Sequence, residues 1–370
     1  MNLRDIRQNK YLRYLVLPSL FGTQRTKEIL NVNPTIIPHR EEAQEVSVFV
    51  FDYDAESLEE KNLASAEEAL AYKQSRRISW INIDGLRKND VEDICNHFGI
   101  HPLIAEDILS IGQRPKMDEL NGLLFCLLNM LNFNEQGNCV ESEQVSIVLG
   151  KNFVITFQEE AIKDVFNPLR EKIKINGSKI RQSGADYLFY SLIDMIVDHY
   201  FLVMEKLGER IEALEEDIVR NADTRTLSKI NMLRKEMIVL KRNISPVREV
   251  INGILRSESN LVDDKTEKYF KDVYDHIIQA NELAENYRDM MITLQDLYLN
   301  NVNLRMNEVM KVMAVVTCLL APATVIGGIF GMNFTRIPWL HNDNGFFIAV
   351  GLMLIIPVWM IFVFKKKGWF

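Results

Sequence analysis

One stretch of the sequence carries polar and small side chains at a spacing that suits ion passage. The steps between these residues alternate between three and four, which gives a period of 3.5 and one continuous helix face. We call this face the polar stripe, and it comprises Thr293, Asp296, Asn300, Asn303, Asn307, Met310, Ala314, Thr317, Ala321, Thr324, Gly328 and Gly331. Amide and hydroxyl oxygens on one face can accept hydrogen bonds from the water around a cation.

Two interpretations of the polar stripe compete. Small residues spaced along a helix also permit tight helix packing, which accounts for Gly328 but not for three asparagines and an aspartate in register. A ring of helices around a wet axis accounts for both, so the stripe favours a pore-lining helix. Met310, with Met313 beside it, is then the predicted apolar neck, where dewetting can close a pore.

Two charge-free runs near the C-terminus predict membrane spans. Val312–Thr335 has 24 residues and Gly345–Phe364 has 20, and a helix needs roughly 20 apolar residues to cross the hydrocarbon layer. A pair of buried core helices is the alternative, but two adjacent runs of this length are rare in soluble proteins.

Basic residues predict how these spans are oriented. Arg305 and Lys311 precede the first span and Lys365, Lys366 and Lys367 follow the second, whereas the loop between the spans carries a single arginine. The positive-inside tendency therefore places both termini in the cytosol and the loop outside.

Composition limits the remaining function classes. The 370-residue chain has a net charge of −8, which argues against a nucleic-acid partner. The four cysteines fall at no metal-ligand spacing and are expected to be buried thiols in a reducing compartment. No glycine-rich nucleotide loop or nucleophile motif is visible, so we expect neither an enzyme nor an organic cofactor.

The patterns divide the chain into successive segments. Strand patterns at 46–53, 78–84, 123–132 and 145–158, the last predicted as a hairpin, indicate an α/β cytosolic domain. Residues 254–321 lack glycine and proline, which predicts a long stalk helix entering the membrane. The predicted segments are 1–173 (α/β domain), 174–250 (helical region), 251–311 (stalk helix), 312–335 (first span), 336–344 (external loop), 345–364 (second span) and 365–370 (basic tail).

Several motifs resemble those of the CorA family of magnesium and cobalt transport channels. The resemblance covers most of the chain from about residue 80 onward and is strongest in GMN at the end of the first span. The matching stretches are HPLIAEDIL (His101–Leu109), QRPK (Gln113–Lys116), ESEQVS (Glu141–Ser146), ADYLFYSLID (Ala185–Asp194), FKDVYDHIIQ (Phe270–Gln279), NEVMKV (Asn307–Val312) and GMNF (Gly331–Phe334).

The resemblance implies a funnel-shaped homopentamer in a prokaryotic inner membrane that takes up Mg²⁺, with Co²⁺ and Ni²⁺ as further cargo. Gly331, Met332 and Asn333 would form its selectivity filter. Because Mg²⁺ sheds its octahedral water shell reluctantly, an Asn333 amide oxygen could hold the hydrated ion without stripping it. Gly331 would let the backbone leave the helix.

The resemblance also implies regulatory Mg²⁺ sites between subunits. The matching acids are Asp107 and Asp272 for one site, with Glu106 and Asp194 for a second. A divalent cation bridging facing carboxylates would hold the pore closed, and its loss would loosen the ring.

Two other functions remain open. A zinc or other transition-metal transporter would have the same architecture, although no row of Cys or His lines the polar stripe. A membrane-anchored sensor or scaffold would not conduct at all. Phe330, where the family usually has tyrosine, and Trp339, where it commonly has an acid, make ion preference the least determined property.

Overall fold

The structure is a computed structural model that describes residues 42–43, 45–159, 164–220, 223–332 and 344–369. These residues fall into two compact units. The first comprises the described residues up to Glu215 together with Ser228–Ile292, and the second comprises Glu216–Leu227 and Thr293–Phe370 in so far as they are described. The predicted external loop and Asn333 lie outside the described residues.

A mixed sheet forms the centre of the first unit. Its strands, in chain order, are β1 Ser47–Tyr53, β2 Leu58–Leu63, β3 Ile78–Asp84, β4 Lys116–Leu120, β5 Leu123–Asn134, β6 Cys139–Leu149 and β7 Phe153–Gln158. Their order across the sheet is β2-β1-β3-β7-β6-β5-β4. Only β3 and β7 pair in parallel, and the other neighbouring strands are antiparallel.

The buried strands were predictable and the edge strands were not. The strand predictions in the interior of the sheet are confirmed, including a hairpin between β6 and β7 that the Gly150 N–H closes on the Phe153 carbonyl at 2.9 Å. Strands β2 (LEEKNL) and β4 (KMDEL) were missed because their charged residues give no apolar alternation. Charged side chains are typical of edge strands, where they discourage pairing with another chain.

Helices surround and extend the sheet. They are α1 Lys88–Phe98, α2 Pro102–Leu109, α3 Asn167–Lys174, α4 Ala185–Arg220, α5 Thr224–Ile244, α6 Val247–Arg256, α7 Asp264–Phe330 and α8 Gly345–Lys366, with a 3-10 helix at Ala66–Gln74. One face of the sheet packs against α1, α2 and the 3-10 helix in a single apolar cluster. On the other side, the Tyr200 hydroxyl of α4 donates to the Asn129 carbonyl of β5 at 2.7 Å.

Local capping sets the position of α2, which carries two of the predicted metal ligands. Helix α1 ends at Gly99, whose φ of 78° is in the left-handed region that glycine tolerates. His101 then caps α2, because its Nδ1 accepts a hydrogen bond from the Leu103 N–H at 3.2 Å, and Pro102 occupies the first turn. The HPLIAEDIL motif is therefore a helix that begins at a defined residue.

The prediction that the stalk helix begins at residue 251 is wrong. Residues 251–256 belong to α6, and α7 begins at Asp264. In the break, the Ser257 and Ser259 hydroxyls accept hydrogen bonds from the N–H groups of Ser259 and Leu261, at 3.1 and 3.3 Å. Such side-chain bonds compete with helical ones, so a segment without glycine or proline still interrupts the helix.

Beyond that break, α7 runs without interruption for 67 residues, through Pro322. At about 1.5 Å per residue this is a rod of roughly 100 Å. The prediction of one continuous helix from the stalk into the first apolar run is confirmed.

A buried polar network lies at the end of the parallel strand pair. Asp84 accepts hydrogen bonds from the side-chain amides of Asn82 and Gln158 at 3.0 and 2.9 Å. Burial, reinforced by the charge of Asp164, raises the pKa of Asp84 from 3.8 to about 6, although Arg170 opposes the shift. The folded protein therefore binds a proton between about pH 4 and pH 6 that the unfolded chain releases, so its stability falls as pH rises through this window.

We expect Asp84→Asn to stabilise the protein at pH 7. A shift of about two units corresponds to about 3 kcal/mol of penalty on the ionised form, and the asparagine oxygen can still accept both hydrogen bonds. Urea denaturation of the full-length protein in detergent should give a higher midpoint at pH 7 and little change at pH 4.5. Asp93→Asn, at an exposed position on α1, is the matched control. Equal effects at the two pH values would contradict this account.

Candidate pore-lining face and metal centre

The polar stripe is an exposed face of α7 over its whole described length. Every member from Asp296 to Gly331, and Met313 beside it, is exposed. Some of the α7 side chains that are buried or half-buried within the second unit lie two residues from a member of the stripe, which is about 200° around the helix. They include Tyr298, Val315, Leu319, Ile326 and Phe330. The polar stripe is therefore open on this chain, as are apolar side chains elsewhere on α7 such as Leu304, Val309 and Leu320.

Two threonines on the stripe donate their hydroxyl hydrogens to the backbone of their own helix. The Thr317 hydroxyl donates to the Met313 carbonyl at 2.9 Å, and the Thr324 hydroxyl donates to the Leu320 carbonyl at 3.0 Å. With its hydrogen engaged inside the helix, each hydroxyl can act toward any further partner only as an acceptor. A column of acceptors suits a hydrated cation.

Helix α7 ends at the glycine where the sequence places the filter. The Gly331 N–H donates to the Gly327 carbonyl at 2.9 Å and the Met332 N–H to the Ile329 carbonyl at 3.3 Å. Gly331 is not among the residues with positive φ, so left-handed backbone is not the reason for it. A Cβ at this position would lie 3.0 Å from the Gly327 carbonyl oxygen, a tight contact that glycine avoids.

Phe330 contributes to an apolar groove between α7 and α8. A cavity of about 170 Å³ is lined by Ile326, Ile329, Phe330, Gly345, Ile348, Ala349 and Leu352. None of these side chains offers a hydrogen-bond partner. The hydroxyl that the tyrosine usual in the family would carry is therefore not required for this packing.

Three described helices, α4, α7 and α8, are long and apolar enough to cross a membrane. Burial separates them, since 56% of the most apolar stretch of α4 is inside the protein, against 6% for α7 and 0% for α8. Helix α4 is thus part of the core, whereas the apolar surfaces of α7 and α8 are open on this chain.

A second group of chemistry-bearing residues lies in the first unit. Asp194 and Asp198 on α4 and His276 on α7 each offer a ligand atom, and these atoms lie within 4.8 Å of one another. The His276 Nδ1 is 3.6 Å from the Asp198 carboxylate. Two carboxylates and an imidazole can hold a divalent cation. We call this group the acidic triad.

The electrostatics of the acidic triad favour a bound cation. Burial raises the pKa of Asp194, and the charges of Asp198 and, less strongly, Asp272 raise it further. A hydrogen bond from the Tyr190 hydroxyl at 3.1 Å and the charge of His276 oppose the shift. Negative charge is therefore concentrated where solvent cannot screen it fully. A cavity of about 230 Å³ borders Asp194 and Asp198 and gives small ions a route to them.

The structure brings together only some of the predicted regulatory acids. Asp272 acts on Asp194 through its charge, but Glu106 and Asp107 lie on α2 and are not part of the acidic triad. Asp107 forms an ion pair with Lys116 at 2.5 Å, and Glu106 is exposed. A site shared between subunits stays a prediction for these two acids.

Sequence reasoning missed Asp198 and His276, although a signal was available. Asp198 follows Asp194 by four residues, and His276 follows Asp272 by four. Residues four apart lie on one face of a helix, so each predicted acid had a ligand-type neighbour beside it.

These features define a membrane transport protein: two exposed apolar helices, a polar face that continues into one of them, and a candidate metal centre. The family described as CorA-like Mg²⁺ transporter protein matches residues 75–366. The chain therefore belongs to this family, and the resemblance read from the motifs is confirmed.

Individual relatives agree with this assignment. The cobalt/magnesium transport protein CorA of Thermotoga maritima is 39% identical over 327 residues, covering 88% of this chain and 93% of the relative. The zinc transport protein ZntB of Yersinia pseudotuberculosis is 20% identical over 88% of this chain and 98% of its own length. The structure of the CorA magnesium transporter from Methanocaldococcus jannaschii has the same fold, with a TM-score of 0.70, 22% identity, and coverage of 87% of this chain and 98% of that one.

We expect His276→Ala to weaken Co²⁺ binding more than Mg²⁺ binding. Imidazole is a good ligand for transition metals, whereas Mg²⁺ prefers oxygen, so Co²⁺ affinity should fall by about tenfold or more and Mg²⁺ affinity much less. Isothermal titration calorimetry of the full-length protein in detergent measures both affinities. His97→Ala, at an exposed histidine on α1, is the control. Equal losses for the two metals would exclude His276 as a ligand.

Proposed function

We propose that this protein is a homopentameric channel that takes up hydrated Mg²⁺ into a prokaryotic cell, with Co²⁺ and Ni²⁺ as further cargo. The observation that carries the proposal is the polar stripe, an exposed face of acceptor oxygens and small side chains that continues into an apolar helix. Such a face has no role against lipid. Five copies around an axis would enclose it.

The driving force in this proposal is the membrane potential. A divalent ion that crosses 100 mV inward gains roughly 4.6 kcal/mol, twice the value for one charge. No nucleotide is needed for uptake, and the chain resembles a transporter family rather than an enzyme class.

The Asn333 ring would select the ion at the outer mouth. Uncharged amide oxygens can accept hydrogen bonds from the hydration water of Mg²⁺ without removing it. Charged side chains would hold a divalent ion more tightly, and conduction needs sites that release it. Close approach of the backbone at Gly331 supports a helix that ends just before this ring.

Closure would involve an apolar neck and a cytosolic sensor. Met310 and Met313 are exposed on or beside the stripe and would form the neck. When cytosolic Mg²⁺ is abundant, it would occupy the acidic triad and the predicted intersubunit sites of Asp107, Glu106 and Asp272. Its loss would leave like charges to repel one another and loosen the ring.

A transition-metal transporter is the second candidate, because the acidic triad includes an imidazole. Flux assays with Zn²⁺, Co²⁺, Ni²⁺ and Mg²⁺ in parallel distinguish the two. Absence of any divalent flux in a pure reconstituted preparation would instead favour a non-conducting sensor or scaffold.

We expect Asn333→Ala to reduce Mg²⁺ flux by about tenfold, which corresponds to ~1.4 kcal/mol or about one hydrogen bond to the hydrated ion. Uptake into proteoliposomes loaded with a Mg²⁺ indicator measures this flux. Asn260→Ala, at an exposed asparagine outside α7, should leave it unchanged. Equal flux in Asn333→Ala and the parent protein would remove Asn333 from the filter.

We expect Asp272→Lys to weaken closure by internal Mg²⁺. Because the substitution replaces a metal-attracting charge with a repelling one, the half-inhibiting concentration should rise by about tenfold, within the range typical of allosteric coupling. The same vesicles, loaded with graded Mg²⁺, give this concentration. Asp275→Lys makes the same charge change at an exposed position on α7, and similar inhibition in both variants would place the sensor elsewhere.

A further inference from the structure

The C-terminal end of α8 forms a compact basic and aromatic surface with α7. We call it the tail cluster and define it as Lys311, Lys365, Lys366, Lys367 and Trp369. All five belong to the second unit. Three of the lysines and the tryptophan are exposed, and Lys311 is half-buried.

The chain after α8 folds back instead of running on. Gly368 has a φ of 71°, a conformation that suits glycine. The Lys367 and Trp369 N–H groups donate to the carbonyls of Val363 and Phe364, both at 3.0 Å. These bonds close the end of the helix, and the lysines stay beside its last turn.

Two contacts hold the folded-back segment in place. The Trp369 ring stacks on Phe364, with centroids 5.3 Å apart and planes 11° from parallel. The Lys311 ammonium donates to the Gly368 carbonyl at 3.2 Å and so connects α7 to the tail. The aromatic pair and the Lys311 ammonium therefore meet at the folded-back tail, where the apolar run gives way to the charged end.

The lysine charges are not neutralised locally. Within the described part of the second unit, no carboxylate forms an ion pair with any of the four lysines, and the nearest acid along α7 is Glu308, one turn before Lys311. Tryptophan at an apolar boundary and lysines just beyond it are the side chains that face lipid headgroups. The complementary partner is a surface of phosphate groups.

We infer that the tail cluster binds the headgroups of anionic phospholipids in the cytosolic leaflet. The inference rests on the proposed function for the membrane location and orientation of α7 and α8. Lysines near an anionic surface attract it electrostatically, by about fivefold in affinity for each residue. Since Lys311 directly follows Met310, lipid phosphate at this cluster would also connect leaflet charge with the predicted neck of the pore.

The test uses the full-length protein in vesicles of phosphatidylcholine and phosphatidylglycerol in equal amounts. Electron spin resonance of spin-labelled analogues of each lipid measures which one the protein retains at its surface. We expect preference for phosphatidylglycerol, reduced at least about fivefold by combined Lys365→Gln, Lys366→Gln and Lys367→Gln substitution. A matched variant, Lys88→Gln with Lys265→Gln and Lys268→Gln, changes three exposed lysines outside the second unit and should keep the preference.

Two results would overturn the inference. One is undiminished phosphatidylglycerol preference in the tail variant. The other is displacement of the spin-labelled lipid by inorganic phosphate as effectively as by added phosphatidylglycerol, which would indicate a site for a free anion.

Mg²⁺ flux of the same preparations separates this inference from the proposed function. Mg²⁺ flux without a lipid preference would refute only the inference that the tail cluster binds anionic phospholipids. A preference for phosphatidylglycerol without Mg²⁺ flux would refute the proposed channel function and leave the lipid-binding inference intact.

Discussion

The structure depends on the continuity of α7. In an unbroken straight helix each residue advances by about 100°, so a stripe with a period of 3.5 drifts by about 20° in every seven residues. From Asp296 to Thr324, within the one helix α7, the drift is about 80°, which a left-handed supercoil with neighbouring helices would offset. In the proposed channel, the first part of this helix contacts water and its apolar part contacts lipid. The polar side must remain suited to ions along both parts. A break anywhere along it would rotate the acceptor oxygens out of line.

Charge concentration is the second constraint, and it acts in the first unit. Asp194 and Asp198 project from α4, whose other face is buried against the sheet, and His276 projects from α7. The apolar core fixes the two helices, so these like charges cannot move apart to relieve their repulsion. A bound cation would relieve it, and in the proposed mechanism this makes the scaffold sensitive to metal concentration.

The parts of the fold that were predictable are those in which one local signal dominates. Buried strands such as β5, the membrane-length apolar runs and the continuous α7 follow from hydrophobic pattern alone. The edge strands β2 and β4 were missed because their position, not their composition, makes them strands. The start of α7 was misplaced because serine side chains at Ser257 and Ser259 bond the backbone and interrupt a sequence that lacks glycine and proline.

The candidate sites show the same difference between features set by local sequence and features set by tertiary packing. The sequence by itself determined the polar stripe, because its repeat of three and four residues can be read along the chain without any tertiary contact. Only the tertiary structure decided that His276 meets Asp194 and Asp198. These residues are about 80 positions apart along the chain, and packing of α4 against α7 is what brings them within reach of one ion. Likewise, only the structure showed that Gly331 lies close to the Gly327 carbonyl and does not adopt a left-handed turn.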